Sequence, residues 1–100
     1  MAVFMISYDI KVQENFEYPK LYEAIKKIGS WCPVLESVWY VDTVDYSATD
    51  IYDYLHPYLT LQKKGGDTLI VQRCHISNRG WLNVDVVAWL ESPDRTWSKY

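Results

Sequence analysis

Apolar runs of strand length alternate along this chain with stripes at helical spacing. Residues 2–8 are continuously apolar and rich in Val, Phe and Ile, which predicts a central strand with a helix on at least one face. A polar connection follows over residues 11–15. Pro19 then suits a first helical turn, where its missing N–H costs nothing. Leu21, Ala24, Ile25 and Ile28 form one helical stripe, with Glu23, Lys26 and Lys27 facing water. Gly29 is expected to end that helix as a left-handed cap. Residues 31–44 read as extended structure, too long for one average strand. Either Glu36-Ser37 turns the chain between two short strands, or a single strand bends.

Ser47 and Asp50 have capping-box spacing, and Ile51, Tyr54, Leu55, Tyr58 and Leu59 continue at helical spacing behind them. Pro57 should stop this helix near Leu55. A turn over residues 63–67 precedes a strand from Thr68 to about Ile76, centred on Leu69, Ile70 and Val71. Residues 81–90 fit a short helix capped by Asn83 better than an edge strand around Val84-Asp85-Val86. Residues 92–100 read as a frayed tail behind a single domain at 1–91.

With the middle region counted as a hairpin, the order is βαββαβ. The fold class expected is α+β, ferredoxin-like: an antiparallel sheet with both helices on one face. The opposite face then has no helix of this chain to cover it. A second copy would supply the cover, so a homodimer is expected.

Composition narrows the chemistry. Nine Tyr and five Trp provide large amphipathic rings for a core, an interface or a stacking surface. The net charge of −3, with ten Lys plus Arg, argues against a non-specific duplex-DNA binder. Cys32 and Cys74 lie far apart without metal-ligand spacing, and both fit reduced core thiols in a cytoplasmic protein. The opening residues read as a strand, not a signal peptide, and no stretch is long enough to span a bilayer. Serine-hydrolase, phosphate-loop and dinucleotide fingerprints are missing from the sequence.

The candidate chemistry starts at Asp9, where the first strand runs directly into an acid. Such a residue can order the following loop, hold a metal or bond across a dimer. Asp42 and Asp45 would join it only if the hairpin brought them close; otherwise they are solvated turn acids. His56 and His75 are candidate general bases by residue type but share no metal-site spacing. Trp31, Trp39, Tyr40 and Trp81 offer stacking faces, with Arg73 and Arg79 able to engage phosphate.

Ile6-Ser7-Tyr8-Asp9-Ile10, Leu21-Tyr22-Glu23-Ala24-Ile25, Leu35-Glu36-Ser37-Val38-Trp39, Asp67-Thr68-Leu69-Ile70-Val71 and Gly80-Trp81-Leu82 occur in that order. In sequence and spacing they resemble the small CRISPR-associated Cas-two superfamily, nearest its stand-alone SinR-like branch. The virulence-associated D ribonuclease toxins are more distant relatives of the same fold. The resemblance implies a two-fold homodimer and a cytoplasmic protein acting on a nucleotide or short nucleic acid in a defence, counter-defence or toxin setting. It also implies that Asp9 meets its symmetry mate to hold Mg²⁺, with Ser37 orienting a phosphate beside it. Tyr8, Trp39, Arg73 and Arg79 would then contact the ligand. Two alternatives stand beside nucleotide binding: a Mg²⁺-dependent endonuclease or phosphodiesterase using paired Asp9 residues, and a protein-interaction module without catalysis. The arginine-rich first helix of spacer-integration members is missing here, so an integration role is not expected.

Overall fold

A computed structural model describes residues 2–10, 18–59, 67–75 and 80–97. They form a small α+β structure: β1 (Ala2–Asp9), α1 (Tyr18–Lys26), β2 (Ser30–Leu35), β3 (Val38–Thr43), α2 (Ala48–Leu55), β4 (Thr68–Cys74) and α3 (Val84–Glu91). The four strands make one open antiparallel sheet in the order β2-β3-β1-β4. The connections over residues 11–17 and 60–66 lie outside the described residues.

Strand alternation gives the sheet two different faces. Ala2, Phe4, Ile6 and Tyr8 of β1 and Trp39 and Val41 of β3 point to an inner face. There they pack on Leu21, Ala24, Ile25 and Ile28 beside α1 and on Ile51 and Leu55 of α2. Of the helical stripes read from the sequence, Leu21, Ala24, Ile25, Ile28, Ile51 and Leu55 close this core and Leu59 packs against it, whereas Tyr54 and Tyr58 are exposed. Glu36 and Ser37 form the two-residue turn between β2 and β3, so the hairpin is observed and the single bent strand is not. A register shift between Pro33 and Leu35 accommodates Val34 as an irregularity in the edge strand.

The caps behave as their chemistry requires. The Ser47 hydroxyl accepts from the Asp50 N–H at 3.1 Å, and an Asp50 carboxylate oxygen accepts from the Ser47 N–H at 2.9 Å. α2 stops at Leu55 and passes through one 3₁₀ turn, His56–Tyr58, that takes up Pro57. Asn83 caps α3 by accepting from the Val86 N–H at 3.0 Å. Gly29 serves a purpose other than the expected left-handed cap. A Cβ there would run into the backbone carbonyl of Asp42, so glycine permits close approach of the α1–β2 connection to β3.

The outer face departs most from expectation. Asp42 and Tyr40 of β3, Ser30 and Cys32 of β2, and Val3 of β1 point away from α1 and α2. α3 and residues 92–97 cover this half of the face, so the chain does own a helix for it. Residues 92–97 are not frayed: Thr96 and Arg95 are bonded to the sheet, and the Trp97 indole donates to the Leu90 carbonyl at 3.2 Å. The other half, where β1 meets β4, presents Met5, Ser7, Asp9, Thr68, Ile70 and Gln72. Ile70 is 53% exposed there.

Candidate functional site

Asp9 ends β1 opposite Thr68 and is exposed on the open half of the outer face. The Tyr8 N–H donates to the Ser37 carbonyl at 3.0 Å, which holds the β2–β3 turn against the same end of the sheet. Ser37 therefore lies at the Asp9 end of the sheet. Asp67, just before β4, is buried at that end as well. The geometry thus gathers one exposed carboxylate, a neighbouring serine turn and a buried second acid.

The other acids and bases do not join them. Asp42 pairs with Val3 near the start of β1, on the order of 20 Å from Asp9 at about 3.3 Å per strand residue. Asp45 is exposed beyond β3, where its N–H donates to the Thr43 hydroxyl at 3.2 Å. His56 is exposed and stacks on Tyr52, with ring centroids 5.5 Å apart. His75 follows Cys74, which pairs with Val3, so it too sits at the end of the sheet remote from Asp9.

Two of the proposed ligand contacts are interior side chains. Trp39 is only 6% exposed. Its indole N–H donates to the Tyr8 hydroxyl at 3.2 Å, and that hydroxyl donates to the Glu36 carbonyl, also at 3.2 Å. The Trp39 ring is further enclosed by Tyr22 and Trp31, with centroids 5.6 Å and 5.8 Å away. Neither Tyr8 nor Trp39 offers a free ring face to a base. Arg73 is exposed on β4 but pairs with Phe4, well away from Asp9. Arg79 lies outside the described residues. Among the aromatic candidates, Trp81 at 101% of its reference area and Trp31 at 41% are exposed, whereas Tyr40 is stacked under α3.

Asp42 has a role that its sequence position did not suggest. Expected to be a solvated turn acid, it is buried and clamps the C-terminal residues. Its carboxylate accepts from the Thr96 N–H at 2.8 Å and from the Thr96 hydroxyl, and faces the Arg95 guanidinium at 3.7 Å. Both charged side chains are nearly removed from solvent, at 8% for Arg95 and 5% for Asp42. Arg95 also donates to the Ser30 hydroxyl at 2.8 Å and lies 4.1 Å from the Trp89 ring centroid. The Trp89 indole shares Ser30 as acceptor at 3.2 Å and stacks nearly parallel on Tyr40, with centroids 6.2 Å apart. A usable signal was present: Arg95-Thr96-Trp97 combines an ion, a hydroxyl and a large ring, an odd composition for a frayed end.

Two thiols lie on the outer face. Burial pushes the Cys32 thiol up from its ordinary value, against the opposing pull of Arg95, and burial likewise raises Cys74. Both are free cysteines, and neither is activated as a nucleophile.

Mg²⁺ takes one or two carboxylates and keeps several waters, so Asp9 can serve as a ligand but does not make a cage alone. Among the described residues, no three His, Cys, Asp or Glu side chains gather as a metal-binding group. None of the described helices is long and apolar enough to cross a membrane. No protein-family model, curated protein or solved structure matches the chain.

Proposed function

We propose that this is a ferredoxin-like, Cas-two-like protein that acts as a homodimer and binds the phosphate of a nucleotide or short nucleic acid at its Asp9 end through Mg²⁺. The observation that carries this is the position of Asp9, an exposed carboxylate at the end of a central strand, on the half of the outer face left open by α3. Read from the other edge, the strands run β4-β1-β3-β2 with α1 and α2 on one face, which supports the split-βαβ pattern. The open β1–β4 half, with Ile70 exposed, is the surface on which a second copy would bring two Asp9 residues together.

A carboxylate and a phosphate repel each other, so an Asp-centred phosphate site requires a cation between them. Mg²⁺ on paired Asp9 residues would supply that charge, and the Ser37 hydroxyl would orient a phosphate oxygen. The same arrangement extends to phosphodiester cleavage, since a bound Mg²⁺ polarises a phosphoryl oxygen and sharpens a water nucleophile. The fully exposed Trp81 favours a second mode, in which a base stacks on that ring. The unpaired thiols fit a cytoplasmic setting.

The test uses purified protein with labelled single- and double-stranded RNA and DNA, in Mg²⁺ or EDTA, alongside Asp9→Asn and Trp81→Ala. Binding that requires Mg²⁺ and weakens at least about tenfold in Asp9→Asn supports the site, because the neutral amide is a poorer Mg²⁺ ligand than the carboxylate. Cleavage with the same dependence establishes the enzyme. Binding that ignores both Mg²⁺ and Asp9 but fails in Trp81→Ala moves the site to the ring. No binding to any of these ligands removes the proposal.

A further inference from the structure

We propose that α3 and residues 92–97 form a releasable cover over the β2–β3 half of the outer face, latched at the single carboxylate of Asp42. Three observations converge on a unit that opens separately from the main core. The inner core cluster contains no residue of α3, and Val86 is the one buried residue of that helix, while Val84 is 81% exposed. A segment with so little buried apolar surface belongs to the low-stability end of local opening.

The fastening is polar and concentrated. The Thr96 N–H, the Thr96 hydroxyl and the Arg95 guanidinium all meet Asp42, so losing that one partner removes these three contacts and leaves the strap held by Ser30 and the Trp89–Tyr40 stack. The closed state also carries an internal penalty. Arg95 Nε is buried with no hydrogen-bond partner, a desolvation cost that water would relieve on opening. Besides Asp42 and Ser30, opening uncovers Cys32 and Tyr40, which adjoin Met5 and Ile70 on the open half. The cover therefore sets how much of the outer face is available for association. That last consequence rests on the proposed dimer; the cover itself does not.

Cys32 is a built-in reporter, buried under the cover while closed. In a Cys74→Ser background, its reaction with an aromatic disulfide reagent is followed at one pH across a urea series below the unfolding transition. The expected result is labelling through an opening with much weaker urea dependence than global unfolding. Asp42→Asn should speed labelling about tenfold or more, since hydrogen bonds to a charged group are lost. Thr96→Val, which leaves the sheet untouched, should speed it several-fold, with the main far-ultraviolet transition nearly unmoved. Labelling that tracks global unfolding in urea dependence, or variants that shift labelling and global stability equally, overturns the cover. Sedimentation of the same proteins separates the two ideas. Faster labelling with altered self-association supports a dimer on this face, whereas faster labelling with unchanged association keeps the cover and removes that dimer.

Discussion

At the scale of single residues, the same side-chain type meets opposite fates according to its position on a strand. Asp9 and Asp42 both belong to strands and both point to the outer face, yet Asp9 meets solvent and Asp42 is buried beneath residues 92–97. Replacing Asp9 by Asn should weaken the proposed Mg²⁺-dependent ligand binding at least about tenfold without unfolding the chain. Urea denaturation beside the binding assay separates the two effects. Tyr8→Phe should do the reverse. It strands the Trp39 indole and the Glu36 carbonyl without the hydroxyl that joins them, costing about 1–2 kcal/mol in a urea melt. Both rings were candidate ligand contacts because a Tyr or Trp suits a core and a binding face equally well. The alternation of β1 was the better guide, since it places Tyr8 on the same side as Phe4 and Ile6, under the helices.

At the scale of elements, what local chemistry specifies was legible and what distant partners specify was not. The stripe Leu21, Ala24, Ile25 and Ile28 and the Ser47–Asp50 cap each define an element within a few residues, and both are observed. Ser47→Ala should cost about 1 kcal/mol, read as a lowered urea midpoint with unchanged slope. Gly29 illustrates the limit. Its presence after α1 suggested a backbone conformation, but its reason lies on another strand, at the Asp42 carbonyl. Gly29→Ala should therefore destabilise by roughly 1–3 kcal/mol through overpacking, more than helix propensity alone would suggest. Residues 92–97 failed to declare themselves for the same cause. Their partners, Ser30 and Asp42, are more than fifty positions away, so no local period records the contact.

At the scale of the whole molecule, the sheet is the divider between two unlike environments. The inner face is an apolar core, while the covered half of the outer face buries an ion pair and a thiol beside a half-buried, stacked Tyr–Trp pair. This asymmetry has a consequence for pH. Cys32 and Cys74, ordinarily at 9.0, and Tyr40, ordinarily at 10.0, are all pushed up in the folded chain, chiefly by burial. Each is neutral when protonated, so the fold favours the protonated form. Unfolded chains ionise first as pH rises, at which point the folded state binds more protons than the unfolded one. Stability is then fully present below about pH 9 and falls as pH climbs through the raised folded values. Urea midpoints measured from pH 7 to pH 11 should be level at first and decline on the alkaline side. Cys32→Ala and Tyr40→Phe should each flatten that decline, whatever they do to the neutral midpoint, because each removes one group whose ionisation the fold resists. An alkaline limb that keeps its slope in both variants would mean that the outer face opens to solvent before these groups titrate.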